Sequence, residues 1–203
     1  MKKKFSLLLA LIGWLAVIAQ FVIMTGNRKD TLTETIIRFF SYFTILTNTM
    51  VALYGTYTFF SSENKTGKIN RPGTLTAITV YITIVGGVYQ FVLRQLWQPE
   101  GLQRIVDELL HAVIPVLVII FWWHYEQKKS IRYTQIPRWL IFPFIYMVCI
   151  LLRGNISGFY PYPFVNAGEL GWPAVQMNAA ALLLLFILVS AIFIFIGKMI
   201  TRR

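Results

Sequence analysis

The sequence contains little cysteine, histidine or acid, and these shortages exclude several classes of site. Among 203 residues there are one cysteine, two histidines and eight acidic residues. Cys149 lies in an apolar run, and alone it cannot form an intrachain disulfide or a CxxC site. His111 and His124 stand too far apart along a helix to share a zinc ion, and no glycine-rich phosphate loop is present. We therefore expect no metal and no cofactor.

Charge is scarce as well, and apolar residues take its place. Only 13% of residues are charged, 57% are hydrophobic, and the mean hydropathy is +0.62. Soluble domains carry about 25% charged residues, so the composition indicates an integral membrane protein whose partners are membrane lipids. The net charge of +11 is spread between apolar runs rather than gathered into one stripe, which is typical of topology signals. We expect no nucleic-acid partner.

Six apolar segments predict an all-α, polytopic fold: a six-transmembrane-helix bundle that forms one domain over residues 1–203. A helix needs about 20 apolar residues to cross ~30 Å of hydrocarbon, and most of the segments reach that length. The first exceeds the 7–15 apolar residues usual in a signal peptide, so we interpret it as a retained span. The segments lie at about 5–24, 36–60, 74–93, 107–124, 137–152 and 173–197.

The distribution of lysine and arginine predicts the orientation, because cytoplasmic loops are enriched in both. One side carries thirteen of the nineteen basic residues: Lys2, Lys3, Lys4, Lys65, Lys68, Arg71, Lys128, Lys129, Arg132, Arg138, Lys198, Arg202 and Arg203. The other side carries six: Arg28, Lys29, Arg38, Arg94, Arg104 and Arg153. We therefore expect both termini in the cytoplasm.

Polar residues collect in the half of the bundle that this orientation places toward the outer leaflet. The stretch FSYFTILTN places Thr44 about 12 Å deep, at 1.5 Å per residue. Thr44, Thr47 and Asn48 share one helix face by their i, i+3, i+4 spacing. The i, i+4 pairs Gln90/Arg94 and Asp107/His111, together with Arg153, Asn155, Gln176 and Asn178, lie at a similar level. Ionisable groups at membrane depth mark a functional site by default.

These residue types can build a nucleophile with its base. A hydroxyl becomes nucleophilic when a histidine takes its proton, so Thr44 and His111 are candidate catalytic residues. Asp107, one turn before His111, is placed to orient the imidazole. Asn48 or Asn178 is a candidate oxyanion donor. The structural alternative is that the hydroxyls bond to their own helix carbonyls and the polar groups hold neighbouring helices together.

The segments YFTILTNTMV, ELLHAVIPVLV and YPYPF, followed by Asn178, resemble the androgen-induced-protein family of multispanning membrane proteins and its bacterial six-span branch, often labelled Pr-six-Pr. Characterised animal members are threonine hydrolases that cleave fatty acid esters of hydroxy fatty acids with one intramembrane threonine and one histidine. The resemblance implies Thr44 as the nucleophile and His111 as the base. Thr47 remains a second available hydroxyl, and the spacing from His111 to Pro115 is one residue shorter than in the family.

The implied function is an intramembrane lipid-ester hydrolase with a lipid ester as its substrate. In such a mechanism Arg94 is our candidate to bind a substrate carboxylate. The compact design favours the cell membrane of a bacterium, with the site toward the outer leaflet. Two other classes stay open. A small-solute or proton-coupled transporter also uses intramembrane charges, although duplicated halves with paired broken helices are not apparent in the sequence. A non-catalytic scaffold would use the polar residues only for packing.

Overall fold

Helices make up most of the computed structural model, which describes residues 1–61 and 71–201. About 85% of the structure is helical, and the described residues contain no strand. The helices are α1 (Lys2–Gly26), α2 (Leu32–Ser41), α3 (Phe43–Phe60), α4 (Thr74–Phe91), α5 (Gly101–Glu108), α6 (Ile114–Tyr125), α7 (Ile136–Ser157), α8 (Ala167–Leu170) and α9 (Trp172–Thr201). Packing divides them into two compact units, Met1–Ser130 and Ile131–Arg203.

The all-α prediction is confirmed, and the described helices account for five to six apolar spans. Five helical segments are long and apolar enough to cross a membrane: Lys2–Gly26, Thr74–Gln95, Gly101–Tyr125, Tyr133–Ser157 and Trp172–Thr201. The pair α2 and α3 adds a sixth span if it is counted as one. Four of the basic residues that predict the orientation, Lys65, Lys68, Arg202 and Arg203, lie outside the described residues.

The second predicted span, 36–60, differs from the structure because it is not one continuous helix. α2 and α3 meet at a bend of 75°, where Tyr42 takes an extended conformation with φ −84° and ψ 123°. The Ser41 hydroxyl donates to the Ile37 carbonyl of its own helix at 2.7 Å. Such side-chain bonds to the carbonyl four residues earlier often accompany bent helices. The break moves Thr44 from the middle of a helix to the first turn of α3.

α3 packs closely on α1 through small residues. A Cβ atom added to Gly55 of α3 would lie 2.7 Å from the Ser6 carbonyl oxygen and 2.8 Å from the Ala10 amide nitrogen, and one added to Gly13 of α1 would lie 2.9 Å from the Ala52 Cβ. Small residues at membrane interfaces let two backbones approach in this way. This close packing restricts how far α3 can shift along α1, and it therefore restricts the position of Thr44.

A partly buried polar contact joins the start of α4 to the end of α6. The Glu126 carboxylate, just beyond α6, accepts from the Thr76 amide at 2.9 Å and from the Thr76 hydroxyl at 2.6 Å. The Trp122 indole donates to the same hydroxyl at 2.9 Å. Because a carboxylate stabilises a helix N-terminus, this contact anchors the beginning of α4 beside the helix that carries His111.

The second unit contains α7 to α9. α7 has Pro143 in its interior and ends at Gly158, whose φ of 72° requires a residue that tolerates the left-handed region. The Tyr160 ring lies against Gly154, where an added Cβ would come within 2.1 Å of it. Near the start of α9, the Asn178 amide donates to the Phe164 carbonyl at 2.8 Å. The aromatic segment after α7 is therefore held by contacts within this unit.

We predict that Gly55→Val lowers the thermal stability of the detergent-solubilised protein by the equivalent of about 1–3 kcal/mol, because the added side chain overlaps the α1 backbone. A loss of that size corresponds to a midpoint shift of several degrees. Gly87→Ala is the control, since a Cβ there meets nothing within 4 Å. Thermal unfolding followed by size-exclusion chromatography checks the pair, and equal midpoints would contradict the close α1–α3 approach.

Candidate active site

The structure brings together the threonine and the histidine that the sequence singles out. Thr44 Oγ1 lies 3.3 Å from His111 Nε2, and the two residues are only 7% and 9% exposed. Thr44 is the second residue of α3, where the positive end of the helix dipole lies. A buried hydroxyl therefore faces a ring nitrogen at the end of a helix that favours negative charge.

His111 occupies an irregular turn that Pro115 helps to create. Proline has no amide hydrogen to donate to the carbonyl four residues earlier, here that of His111, and its ring crowds that carbonyl. Leu109–Val113 accordingly form a π-helical turn, in which the Ile114 amide bonds to the Leu109 carbonyl. π-turns occur frequently at functional sites.

Gly86 of α4 allows the neighbouring helix to approach this turn. A Cβ atom at Gly86 would lie 3.0 Å from the His111 carbonyl oxygen and 3.3 Å from the Pro115 Cβ. Such a distance is tighter than an ordinary van der Waals contact, so a side chain at this position would push the helices apart. The turn that carries His111 is therefore packed against the backbone of α4.

The second ring nitrogen of His111 is held by the main chain of Asp107. Nδ1 lies 2.9 Å from the Asp107 carbonyl oxygen and 3.8 Å from its carboxylate Oδ1. A carbonyl can only accept, so this contact favours the tautomer that carries its proton on Nδ1. Asp107 was predicted to orient the imidazole, and the atom within hydrogen-bond distance is its backbone oxygen rather than its carboxylate.

The Asp107 carboxylate is surrounded by donors from three other side chains. Oδ2 accepts from the Tyr89 hydroxyl at 3.1 Å and from the Trp97 indole at 3.0 Å. Oδ1 accepts from the Gln103 amide at 3.5 Å, and that amide also donates to Gln20 of α1 at 2.9 Å. Asp107 is 6% exposed, and these donors offset the cost of burying its carboxylate.

Asn48 joins the helix of Thr44 to the helix of His111. Its amide nitrogen donates to the Thr44 carbonyl at 2.9 Å and to the Leu110 carbonyl at 3.3 Å. Both amide hydrogens are thereby used, and the predicted role of Asn48 as an oxyanion donor stays a prediction. Its Oδ1 is buried without a hydrogen-bond partner among the described residues. Because the Asn48 side chain bonds to a carbonyl of each segment, it fixes the position of Thr44 relative to His111.

Thr47 differs from Thr44 in what its hydroxyl does. Thr47 Oγ1 donates to the Phe43 carbonyl at 2.8 Å and contacts the Thr44 carbonyl at 3.1 Å. It therefore bonds back to its own helix, as hydroxyls in membrane helices commonly do. Of the two candidate nucleophiles, Thr44 is the one whose hydroxyl lies within hydrogen-bond distance of a histidine.

The two remaining predicted site residues lie in different surroundings. Arg94 is half-exposed and donates to Glu108 at 2.5 Å and to Gln90 at 2.6 Å. Glu108 is the neighbour of Asp107 in the chain, so Arg94 lies beside the polar cluster. Asn178 belongs to the second unit, where its amide binds the Phe164 carbonyl, and its predicted role as an oxyanion donor stays a prediction.

Sequence reasoning missed the residues that hold Asp107. Gln103 stands four residues before Asp107, as Asp107 stands four before His111, so one helical stripe could have indicated it. Tyr89 directly precedes Gln90 at the same level. By its position in the sequence Trp97 fits an interfacial aromatic belt, but its indole donates to the Asp107 carboxylate.

No family model, curated protein or solved structure matches the chain. Within the described residues, no group of three or more histidine, cysteine or acidic side chains could hold a metal ion. The site consists of the Thr44 hydroxyl, the His111 imidazole within hydrogen-bond distance of it, and the Asp107 main-chain carbonyl bound to the other ring nitrogen. These are the parts needed to activate a nucleophile.

We predict that Asn48→Ala lowers the thermal unfolding midpoint of the detergent-solubilised protein by a few degrees, because it removes the interhelical bond to the Leu110 carbonyl. Interhelical hydrogen bonds in membrane proteins contribute about 0.6–1.7 kcal/mol. Thr49→Ala is the control, because that hydroxyl donates to the Ile45 carbonyl of its own helix at 2.7 Å and so makes an intrahelical bond. An Asn48→Ala midpoint no lower than that of Thr49→Ala would contradict the link.

Proposed function

We propose that the protein is an intramembrane lipid-ester hydrolase in which Thr44 is the nucleophile and His111 is the general base. The observation that carries the proposal is the 3.3 Å contact between Thr44 Oγ1 and His111 Nε2. Catalytic hydrogen bonds are often long before substrate binds and shorten in the complex. The resemblance to membrane threonine hydrolases, which rests on the segments around these two residues, agrees with the assignment.

The tautomer favoured at His111 is the one that the reaction needs. With the proton on Nδ1, bound to the Asp107 carbonyl at 2.9 Å, Nε2 has a lone pair directed to the Thr44 hydroxyl. A base must present that lone pair to the proton it removes. The Asp107 main-chain carbonyl thus fixes the tautomer and the orientation of the imidazole, as the aspartate carboxylate does in a serine-histidine-aspartate triad.

The proposed reaction has two steps. His111 takes the hydroxyl proton as Thr44 Oγ1 attacks the ester carbonyl carbon, and the imidazolium then gives this proton to the departing alcohol. The product is an acyl-threonine ester. Water, deprotonated by His111, attacks that ester, and the returning proton restores Thr44 as the fatty acid leaves. Negative charge develops near the first turn of α3, where the helix dipole stabilises it.

Arg94 is proposed to select substrates that carry a second, acidic group. It lies at the end of α4 next to the polar cluster, already bound to a carboxylate of Glu108. A substrate carboxylate would replace or share that bond, since guanidinium groups bind carboxylates with matching geometry. The apolar run that follows His111 along α6, Ile114–Tyr125, would line the acyl chain.

The membrane placement follows from the proposed orientation. With both termini in the cytoplasm, Thr44 and His111 lie in the half of the membrane next to the outer surface. Lipid esters could then enter sideways from that leaflet, while water reaches the site through the polar cluster around Asp107. We propose the cytoplasmic membrane of a bacterium as the location.

We predict that Arg94→Gln raises KM about tenfold for an ester that bears a free carboxylate, because a charged hydrogen bond is lost. Two 4-nitrophenyl esters of equal chain length serve as substrates, one an octanoate and one with a terminal carboxylate. Arg104→Gln, at an exposed position of α5, is the control. An equal change in KM for both esters would remove Arg94 from carboxylate recognition.

We predict that a fluorophosphonate probe labels the wild-type protein once, at Thr44, because phosphonylation requires an activated hydroxyl and releases fluoride. Thr44→Ala and His111→Ala should abolish the adduct, whereas Thr47→Ala should retain it. Intact-mass measurement of detergent-purified protein reads the result, and size-exclusion chromatography verifies that each variant is folded.

Two outcomes of the labelling experiment would contradict the assignment. An adduct that survives Thr44→Ala but disappears with Thr47→Ala would transfer the nucleophile to Thr47. Folded wild-type protein that remains unlabelled would favour the transporter or the scaffold. Solute uptake into proteoliposomes then separates those two.

A further inference from the structure

Tyr89 makes two contacts with the machinery around His111. Its ring lies parallel to the imidazole, with centroids 4.0 Å apart and an interplanar angle of 13°. Its hydroxyl donates to Asp107 Oδ2 at 3.1 Å. Tyr89 is only 3% exposed, so both contacts are made in the interior of the first unit.

The two contacts restrain the imidazole in different ways. Stacking blocks one face of the ring, so that a rotation about the bond to Cβ would have to displace the Tyr89 side chain. The hydroxyl holds the carboxylate of Asp107, the residue whose main-chain carbonyl binds His111 Nδ1 at 2.9 Å. A ring fixed on its face and at one nitrogen has its other nitrogen aimed in one direction, toward Thr44.

The backbone near Tyr89 makes this arrangement rigid. Gly86, three residues earlier on α4, lies against the His111 carbonyl, where an added Cβ would be 3.0 Å away. The start of α4 is anchored at Glu126 by the Thr76 contacts of 2.6 and 2.9 Å. Tyr89 therefore projects from a helix that contacts the π-turn at Gly86 and the residue after α6 at Thr76.

The stacked ring also suits the charge that forms during reaction. An aromatic face carries partial negative charge and attracts a cation placed over it. When His111 takes the Thr44 proton, the imidazolium lies against that face, and the Asp107 carboxylate Oδ1 is 3.8 Å from its Nδ1. Tyr89 thus contacts the base in both of its protonation states.

We infer that Tyr89 is a positioning residue, which holds His111 in the Nδ1-protonated tautomer with Nε2 directed at Thr44. The catalytic consequence rests on the proposed function, but the restraint on the ring does not. A packing role alone would give Tyr89 an effect on stability without an effect on the tautomer. The two roles are distinguished by measuring the tautomer directly.

The chain allows a clean spectroscopic test because it has only two histidines. Nitrogen-15 NMR of histidine-labelled protein in detergent, at alkaline pH where histidine is neutral, reports which ring nitrogen carries the proton. His124→Gln assigns the His111 signals. We expect His111 in wild type to show the Nδ1-protonated pattern.

Variants of Tyr89 distinguish the effect of its ring on the His111 tautomer from the effect of its hydroxyl. Tyr89→Phe keeps the stack and should keep the tautomer pattern, whereas Tyr89→Leu removes the aromatic face and should give mixed tautomers. Phe91→Leu is the control, because it removes a ring from the same helix at a position that is 81% exposed. If Tyr89→Leu does not fold, Tyr89→Met replaces it, since the flexible thioether fills irregular space. A folded Leu or Met variant with the wild-type pattern would overturn the inference.

Turnover distinguishes this inference from the proposed function. If the wild type hydrolyses esters, Tyr89→Leu should lower kcat about tenfold, the equivalent of about 1.4 kcal/mol in the barrier, with KM nearly unchanged. A lower kcat with wild-type tautomers, or a rise in KM alone, would count against positioning. If the wild type hydrolyses nothing while the tautomer responds to Tyr89→Leu, the proposed function fails and the positioning role of Tyr89 stands.

Discussion

The site depends on one missing hydrogen bond, the one that Pro115 cannot make to the His111 carbonyl. A helix in a membrane normally pairs every backbone group within itself. Here the helix responds with a π-helical turn over Leu109–Val113, and α4 comes close to that turn because Gly86 has no side chain. The position of His111, and with it every contact of its ring, follows from this irregularity.

A second irregularity determines the position of Thr44, the proposed nucleophile. The 75° bend at Tyr42 gives Thr44 a place in the first turn of α3 rather than in the middle of a span. Asn48 then links the two irregular helices through the Thr44 and Leu110 carbonyls. Each helix thus departs from regular geometry where it carries one of the two proposed catalytic residues, and Asn48 bonds to a carbonyl of each helix at that point.

The sequence predicted the residue types of the site better than it predicted their geometry. The apolar runs identified most of the helices, and Thr44 and His111, which the polar pattern singled out, do meet. The bend at Tyr42 carries no proline or glycine, so periodicity alone gave a continuous span. The stack of Tyr89 on His111 depends on how α4 packs against the π-turn after α5, a long-range contact that spacing within one helix cannot reveal. The contact of His111 with Asp107 has the predicted i, i+4 spacing, but spacing does not tell whether the carboxylate or the main-chain carbonyl binds the ring.

The proposed mechanism depends on acylation of Thr44 during turnover. To detect it, purified protein is mixed with 4-nitrophenyl octanoate and quenched with acid at short times, and any octanoyl group is located by peptide mass spectrometry. We expect a transient octanoyl ester on Thr44 that forms with the release of nitrophenol and decays as octanoate appears. Steady release of octanoate with no acyl group on Thr44 at any time, or with the group on another residue, would rule out Thr44 as the nucleophile.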